Sequence, residues 1–231
     1  MDTLIFALRY YLLYGLILPF YIIIFTLFMS ETNVYKSYTS FMINNVFQVR
    51  FEILNPREKI EKGIFISNHN SGFDNMYDSF LTDATLLARS NVKYYHGLYY
   101  VIQKMYDMIY LFDNKSLNRH ETYIEIDNHM NKTGKNIIYY PEGTRVRTSY
   151  NNVDELKSKI KYGLLKSIYE NKKYKVQLFL STNKNAPFNG KKEKIISTYS
   201  KSFDSKDYDS FKTYSNDILK NWFEIISTLK V

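Results

Sequence analysis

Cysteine is absent from the chain. That absence excludes a disulfide framework, a thiolate metal site and a cysteine nucleophile, and it leaves the redox compartment open. Histidine is scarce: His69, His96, His120 and His129 are the only four, without the close spacing of metal ligands, so no metal is expected. Acidic residues are in deficit, with 23 Asp and Glu against 31 Lys and Arg, a net charge of +8. Such a surplus favours nucleic acid, anionic lipid or an acidic substrate, and alone it does not choose among them. Apolar residues, at 45% with 17% aromatic, are too abundant for disorder. The 231 residues suffice for one sizeable core and are too few for two ordinary domains.

One long apolar run stands out. From Tyr10 to Met29, YYLLYGLILPFYIIIFTLFM carries no charge for 20 residues, about what a helix needs to cross a bilayer core of roughly 30 Å. No small-residue cleavage site follows, so residues 1–30 are expected to be a retained membrane segment and 31–231 the functional domain. Pro19 lies near the middle of the run and kinks or splits a helix there. A single span and an in-plane hairpin therefore both remain open. Lys36, Arg50, Arg57, Lys59 and Lys62 after the run, against Arg9 before it, place the following domain on the cytoplasmic side.

Residues 30–231 show no internal repeat or low-complexity linker. Stretches rich in β-branched and aromatic residues predict strands at 46–54, 63–68, 108–112, 135–140 and 175–180. Helix-length segments are expected over 73–90 and 153–171. Alternating strands and helices imply an α/β domain with a largely parallel central sheet and helices on both faces. Near the C-terminus Phe211, Ile218, Trp222, Ile225, Ile226 and Leu229 form a helical stripe suited to covering a core.

Two polar stretches follow predicted strands. In SNHNSGFD, residues 67–74, His69 stands after GIFISN and Asp74 falls in the first turn of the next segment. A carboxylate there is favoured by the helix dipole and can accept a proton from one imidazole nitrogen. The other nitrogen is then available to a substrate. Ser71 adds a hydroxyl, too close in sequence to be assigned as a nucleophile. In YYPEGTRVRTS, residues 139–149, Pro141 and Gly143 shape a turn, and Gly143 lets backbone amides approach a ligand. Arg145 offers a planar fork suited to phosphate. Glu142 is expected to stay ionised and to orient the arginine or a substrate hydroxyl.

NHNSGFD resembles the N-H-x-S-x-x-D block, and YPEGTR the F-P-E-G-T-R block, of the glycerolipid acyltransferases, which include the 1-acylglycerol-3-phosphate and lysophospholipid enzymes. The two blocks occur in the family's order, 72 residues apart from His69 to Pro141. The resemblance implies transfer of a fatty acyl group from a thioester, acyl-CoA or acyl carrier protein, to a lysophospholipid hydroxyl. Lysophosphatidate is the first expected acceptor, lysocardiolipin the alternative. Carried over by position, His69 is the general base and Asp74 its partner, while Glu142, Gly143, Thr144 and Arg145 bind the acceptor. Where relatives end a short strand with arginine, this chain has MIYLFDNKS, which shifts phosphate binding toward Lys115 or Arg119. Where they carry prolines in a V-P-x-x-P-like strand, it has VQLFL.

The implied chemistry needs no cofactor, because a thioester is already activated and one attack by the hydroxyl suffices. The intermediate oxyanion would be met by backbone amides near Ser71 and Gly72. Two other classes compete: an inactive lipid-binding relative and a membrane-anchored nucleic-acid binder. An intact His69, Asp74 and PEGTR argues against the first. The lysines from Lys157 to Lys175 form a solvated or headgroup-facing surface, so no nucleic-acid partner is expected.

Overall fold

The computed structural model describes residues 36–37, 39–41, 43–44, 49–71, 74–92, 104, 106–112, 119–145, 150–184 and 194–229. The apolar run at Tyr10–Met29, the expected membrane segment, lies outside the described residues. Among the described residues no helix is long and apolar enough to cross a membrane.

Among the described residues seven strands form one sheet: β1 (Phe51–Ile53), β2 (Gly63–Ile66), β3 (Ala84–Arg89), β4 (Ile109–Phe112), β5 (Asn136–Tyr139), β6 (Lys175–Ser181) and β7 (Ile195–Phe203). Their order is β1-β7-β6-β2-β5-β3-β4. Every pairing is parallel except β6 with β7. The fold is thus α/β with a mostly parallel sheet, as the alternating pattern predicts. Among the described residues five α-helices connect or cover it: α1 (Asp74–Thr82), α2 (Arg119–Thr133), α3 (Val153–Lys159), α4 (Gly163–Asn171) and α5 (Phe211–Leu229).

The period of two along each strand divides the core. Ile64, Ile66, Ile137, Tyr139, Val176, Leu178 and Leu180 face one way, where they meet Ile126 and Met130 of α2, Leu156 of α3, Ile168 of α4 and Ile218 and Trp222 of α5. Phe65, Leu86, Ile109, Ile138, Phe179 and Tyr199 face the other, with Leu81 of α1 packed against them. Burying one large apolar side chain contributes about 1.5–3 kcal/mol. These two clusters fix the strands that carry the site.

Two expected helices differ from the structure. Residues 73–90 are not one helix. Asp83 takes a left-handed φ of 53° and stops α1, and Ala84–Arg89 becomes β3. The strand ATLLAR lies between β5 and β4, buried from Ala84 to Ala88; a strand apolar on both faces shows no alternation to separate it from a helix. Likewise 153–171 breaks at Ile160, which is extended, because the Lys161 amide leaves the helix to donate to the Pro141 carbonyl at 2.9 Å. Asn152 starts α3 by accepting from the Glu155 amide at 2.8 Å.

Candidate active site

The sheet register brings the two polar stretches together. Ile66 of β2 pairs with Tyr139 of β5 on one side and with Leu178 of β6 on the other. The residues after β2, β5 and β6 therefore emerge side by side at the C-terminal ends of the strands, the usual place for an α/β site. Asn68 fastens two of these ends reciprocally: its side-chain amide donates to the Ser181 carbonyl at 2.8 Å, and its side-chain oxygen accepts from the Ser181 amide at 3.0 Å.

His69 and Asp74 meet as the sequence implies. Nδ1 of His69 lies 3.0 Å from Oδ2 of Asp74, whose side chain is fully buried while the imidazole keeps 23% of its surface exposed. Oδ2 also accepts from the backbone amides of Asn70 at 2.5 Å and Ser71 at 2.9 Å. Burial pushes the Asp74 carboxyl up, but the Lys184 ammonium and the His69 hydrogen bond outweigh it and hold the group below its ordinary range. An ionised Asp74 accepts at Nδ1–H and leaves the Nε2 lone pair outward. Nε2 has no partner among the described residues. The ring stacks on Tyr140 with centroids 4.5 Å apart and planes 14° from parallel.

Other expected site residues take varied positions. Glu142 is buried at 4% exposure. Its Oε2 accepts from the His69 amide at 2.6 Å and its Oε1 from the Tyr150 hydroxyl. Burial raises its pKa, opposed by the bonds from Tyr150 and His69. Both oxygens are thus taken by protein donors, so the carboxylate braces the His69 backbone rather than orienting Arg145. Ser71 is also buried, and its amide, expected near an oxyanion, points instead to Asp74. Gly72 and Lys115 lie outside the described residues, and Arg119 begins α2.

Gly143 has a φ of +68°, the left-handed region that glycine enters freely, and a Cβ there would sit 2.4 Å from the Lys161 ammonium nitrogen. The turn so made leaves Thr144 and Arg145 exposed beside the His69 loop. Arg145 is open to solvent. Among the described residues no group of three or more His, Asp or Glu side chains is arranged to hold a metal.

Two buried residues escape the sequence reading. Asp78 lies one helical turn beyond Asp74, a spacing that puts both carboxylates on one face of α1 and was available as a signal. Lys184 is 1% exposed and binds Asp78 at 2.7 Å. In a lysine-rich chain its sequence setting, STNK, carries no sign of burial.

These residues combine an ionised, buried orienter, an imidazole with one open nitrogen and a cationic loop. That set suits proton removal from a hydroxyl beside an anionic group. A model of the family described as Acyltransferase matches residues 48–179, more than half of the chain. No curated protein sequence matches. Among solved structures, the 1-acyl-sn-glycerophosphate (LPA) acyltransferase PlsC from Thermotoga maritima is similar, with a TM-score of 0.71 at 13% identity over 100% of this chain and 95% of that one. At that identity the likeness concerns the fold. The family match takes in both motif blocks and the strands that bring them together, and by it the chain belongs to the Acyltransferase family, as an enzyme that transfers acyl groups.

Proposed function

We propose that the chain acylates the free hydroxyl of lysophosphatidate, giving phosphatidate, with an acyl thioester as donor and acyl-CoA as the foremost carrier. The observation that carries this reading is the 3.0 Å contact between His69 Nδ1 and a fully buried Asp74, with Nε2 unengaged among the described residues. In the proposed reaction the acceptor hydroxyl gives its proton to Nε2 as its oxygen attacks the thioester carbonyl. Asp74 stabilises the imidazolium. The oxyanion of the tetrahedral intermediate then re-forms the carbonyl and expels the thiolate, which takes the proton from Nε2, so the C–S bond breaks as the C=O bond returns and the base is restored. A general base so placed supplies about 10² to 10⁴ in rate. The Glu142 bond to the His69 amide and the Tyr140 stack support the position of the ring through the cycle.

Acceptor choice rests on charge. Arg145 and Thr144 are exposed in the turn whose Glu142 holds the His69 amide, and a guanidinium binds a phosphate through two parallel hydrogen bonds. Lys115 and Arg119 are proposed as further phosphate contacts, and the likeness to PlsC, a 1-acyl-sn-glycerophosphate acyltransferase, supports the same acceptor. We further read residues 1–30 as the membrane segment that delivers domain 31–231 to its lipid substrate, on the cytoplasmic side. The test is direct: the full chain in detergent is incubated with acyl-CoA or acyl carrier protein thioesters and a panel of lysophospholipids, and products are identified by mass. Phosphatidate from lysophosphatidate is the expected product. Acylation of lysocardiolipin instead overturns the acceptor, and lipid binding without any acylated product overturns the activity.

A further inference from the structure

Beneath the His69–Asp74 pair lies an ion pair to which the mechanism above gives no role. The Lys184 ammonium donates to Asp78 Oδ2 at 2.7 Å, to the Asn68 carbonyl at 2.8 Å and to Ser67 Oγ at 3.2 Å. Asp78, fully buried, also accepts from Ser67 Oγ at 2.9 Å and from the Tyr140 hydroxyl at 2.9 Å. Lysine is almost never this deeply buried without a partner, and desolvating an ion pair costs several kcal/mol per ion in general. A pair so costly, directly under a reactive ring, calls for a function beyond packing.

Its contacts lead to His69 from two sides. Lys184 holds the carbonyl of Asn68, the residue before His69; Asp78 holds the hydroxyl of Tyr140, the ring on which His69 stacks. The charges matter too. With His69 neutral, the carboxyl groups of Asp74, Asp78 and Glu142 outnumber the single cation of Lys184, and a proton on His69 reduces that excess.

The geometry points to Lys184 and Asp78 as a positioning pair for the His69–Asp74 base: it fixes the ring from its backbone and its stacking face, and Lys184 sets the charge that the base works against. This inference rests on the reading of His69 as the proton acceptor in acyl transfer. Facing the pair are Asp74 and Tyr77 of α1, His69 before it, Tyr140 and Glu142 after β5, and Tyr199 of β7. Burial, followed by Asp74, raises Tyr77; burial, followed by Asp78, raises Tyr199, so both stay neutral at working pH. Asp78 itself is pushed up to about 6 by burial and by Asp74, against the pull of Lys184. Two carboxylates one turn apart thus share a single buried cation.

The test uses three variants of the full chain, Lys184→Met, Asp78→Asn and the double substitution, each followed through kcat and KM against pH. The acidic limb of the profile reports the coupled His69–Asp74 pair. In Lys184→Met the buried Asp78, without its cation, takes up a proton, so the limb should stay near wild type while kcat falls because the Asn68 carbonyl loses its donor. Losing the anion in Asp78→Asn should move it down, and the double variant should return it toward wild type. KM for the lysolipid should stay level throughout. A limb that stays in place in Asp78→Asn overturns the inference, as does an unchanged kcat in a folded Lys184→Met, and if Lys184→Met fails to fold, the limb of Asp78→Asn alone decides. Titration of carboxyl carbons in ¹³C-aspartate-labelled protein provides a readout without turnover. Should the wild-type chain show no acyl transfer, the proposed activity falls, while an Asp74 carboxyl that titrates lower in Asp78→Asn still supports the linkage and one that does not move overturns it.

Discussion

Two half-buried histidines sit at opposite ends of the sheet, and only one is arranged for chemistry. His129, in the last turn of α2, places Nε2 3.2 Å from the Thr85 hydroxyl near the N-terminal end of β3, where Thr85 in turn donates to the Asp107 carbonyl. With the threonine proton committed to Asp107, Nε2 must donate, and Tyr110 covers the ring at 5.1 Å. His69 is built the other way. Its Nδ1 is held by a buried carboxylate and its Nε2 has no partner among the described residues. The difference lies in which nitrogen the protein consumes and whether an ionised acid stands behind it: His129 spends its donor on a neutral hydroxyl, while His69 keeps an acceptor facing outward. Burial alone suits a histidine to structure; a buried, ionised partner suits it to the role of base proposed for His69.

Replacing the rings is the strongest way to break this contrast. His69→Ala should reduce acyl transfer by about 10² to 10⁴, the range for a lost general base, while the midpoint of thermal unfolding changes little because the ring is only half-buried. Asp74→Asn should show a comparable loss, since the amide cannot stabilise an imidazolium and its two amide protons face backbone donors at Asn70 and Ser71. Transfer within threefold of wild type in His69→Ala, measured in membranes with radiolabelled acyl donor, would remove the distinction between the two histidines.

That contrast was only half legible beforehand. The spacing of His69 and Asp74 and the strand before them are local features, so the sequence reading located both, and the parallel sheet followed from alternating strands and helices. What it missed depends on distant contacts. Lys184 is 106 residues from Asp78 and its burial is decided by the register of β6 beside β2. Glu142 looked like an orienter for Arg145 because the two are neighbours in sequence, yet the pairing of Ile66 with Tyr139 turns its carboxylate toward the His69 amide instead. The stretch ATLLAR was read as helix because a strand buried on both faces has no alternation to betray it.

A smaller effect is expected at the rim of the same end of the sheet. Arg145 is exposed in the turn that Gly143 makes possible, and charge-assisted contacts contribute about 1.5–3 kcal/mol, or roughly 10- to 150-fold in a specificity constant. Arg145→Ala should lose kcat/KM toward lysophosphatidate by that range, and Arg145→Lys should recover part of it because the ammonium keeps the charge without the fork. Background hydrolysis of the thioester by water should hardly change. An equal loss in transfer and hydrolysis would mean that Arg145 supports the loop rather than the acceptor phosphate.

The smallest effect, and the one that sharpens the comparison most, belongs to His129. Burial lowers its pKa, with Asp107 pulling the other way and Lys104, Lys135 and Lys132 adding to the decrease. A histidine with a folded value below its unfolded value near 6.5 binds protons less readily in the native chain. Its contribution to stability is therefore present above about pH 6.5 and is lost as pH falls through the lower folded value. His129→Gln keeps a side-chain donor for Thr85 and removes the titration. The substitution should leave acyl transfer within about twofold of wild type, because no step of the proposed chemistry reaches the N-terminal end of the strands. It should also make the stability of the chain fall less between pH 7 and pH 5, measured by urea unfolding at each pH. An unchanged pH slope would show that His129 is not the group that titrates there, and a large loss of acyl transfer would show that the two ends of the sheet are coupled in a way their separate hydrogen-bond networks do not explain.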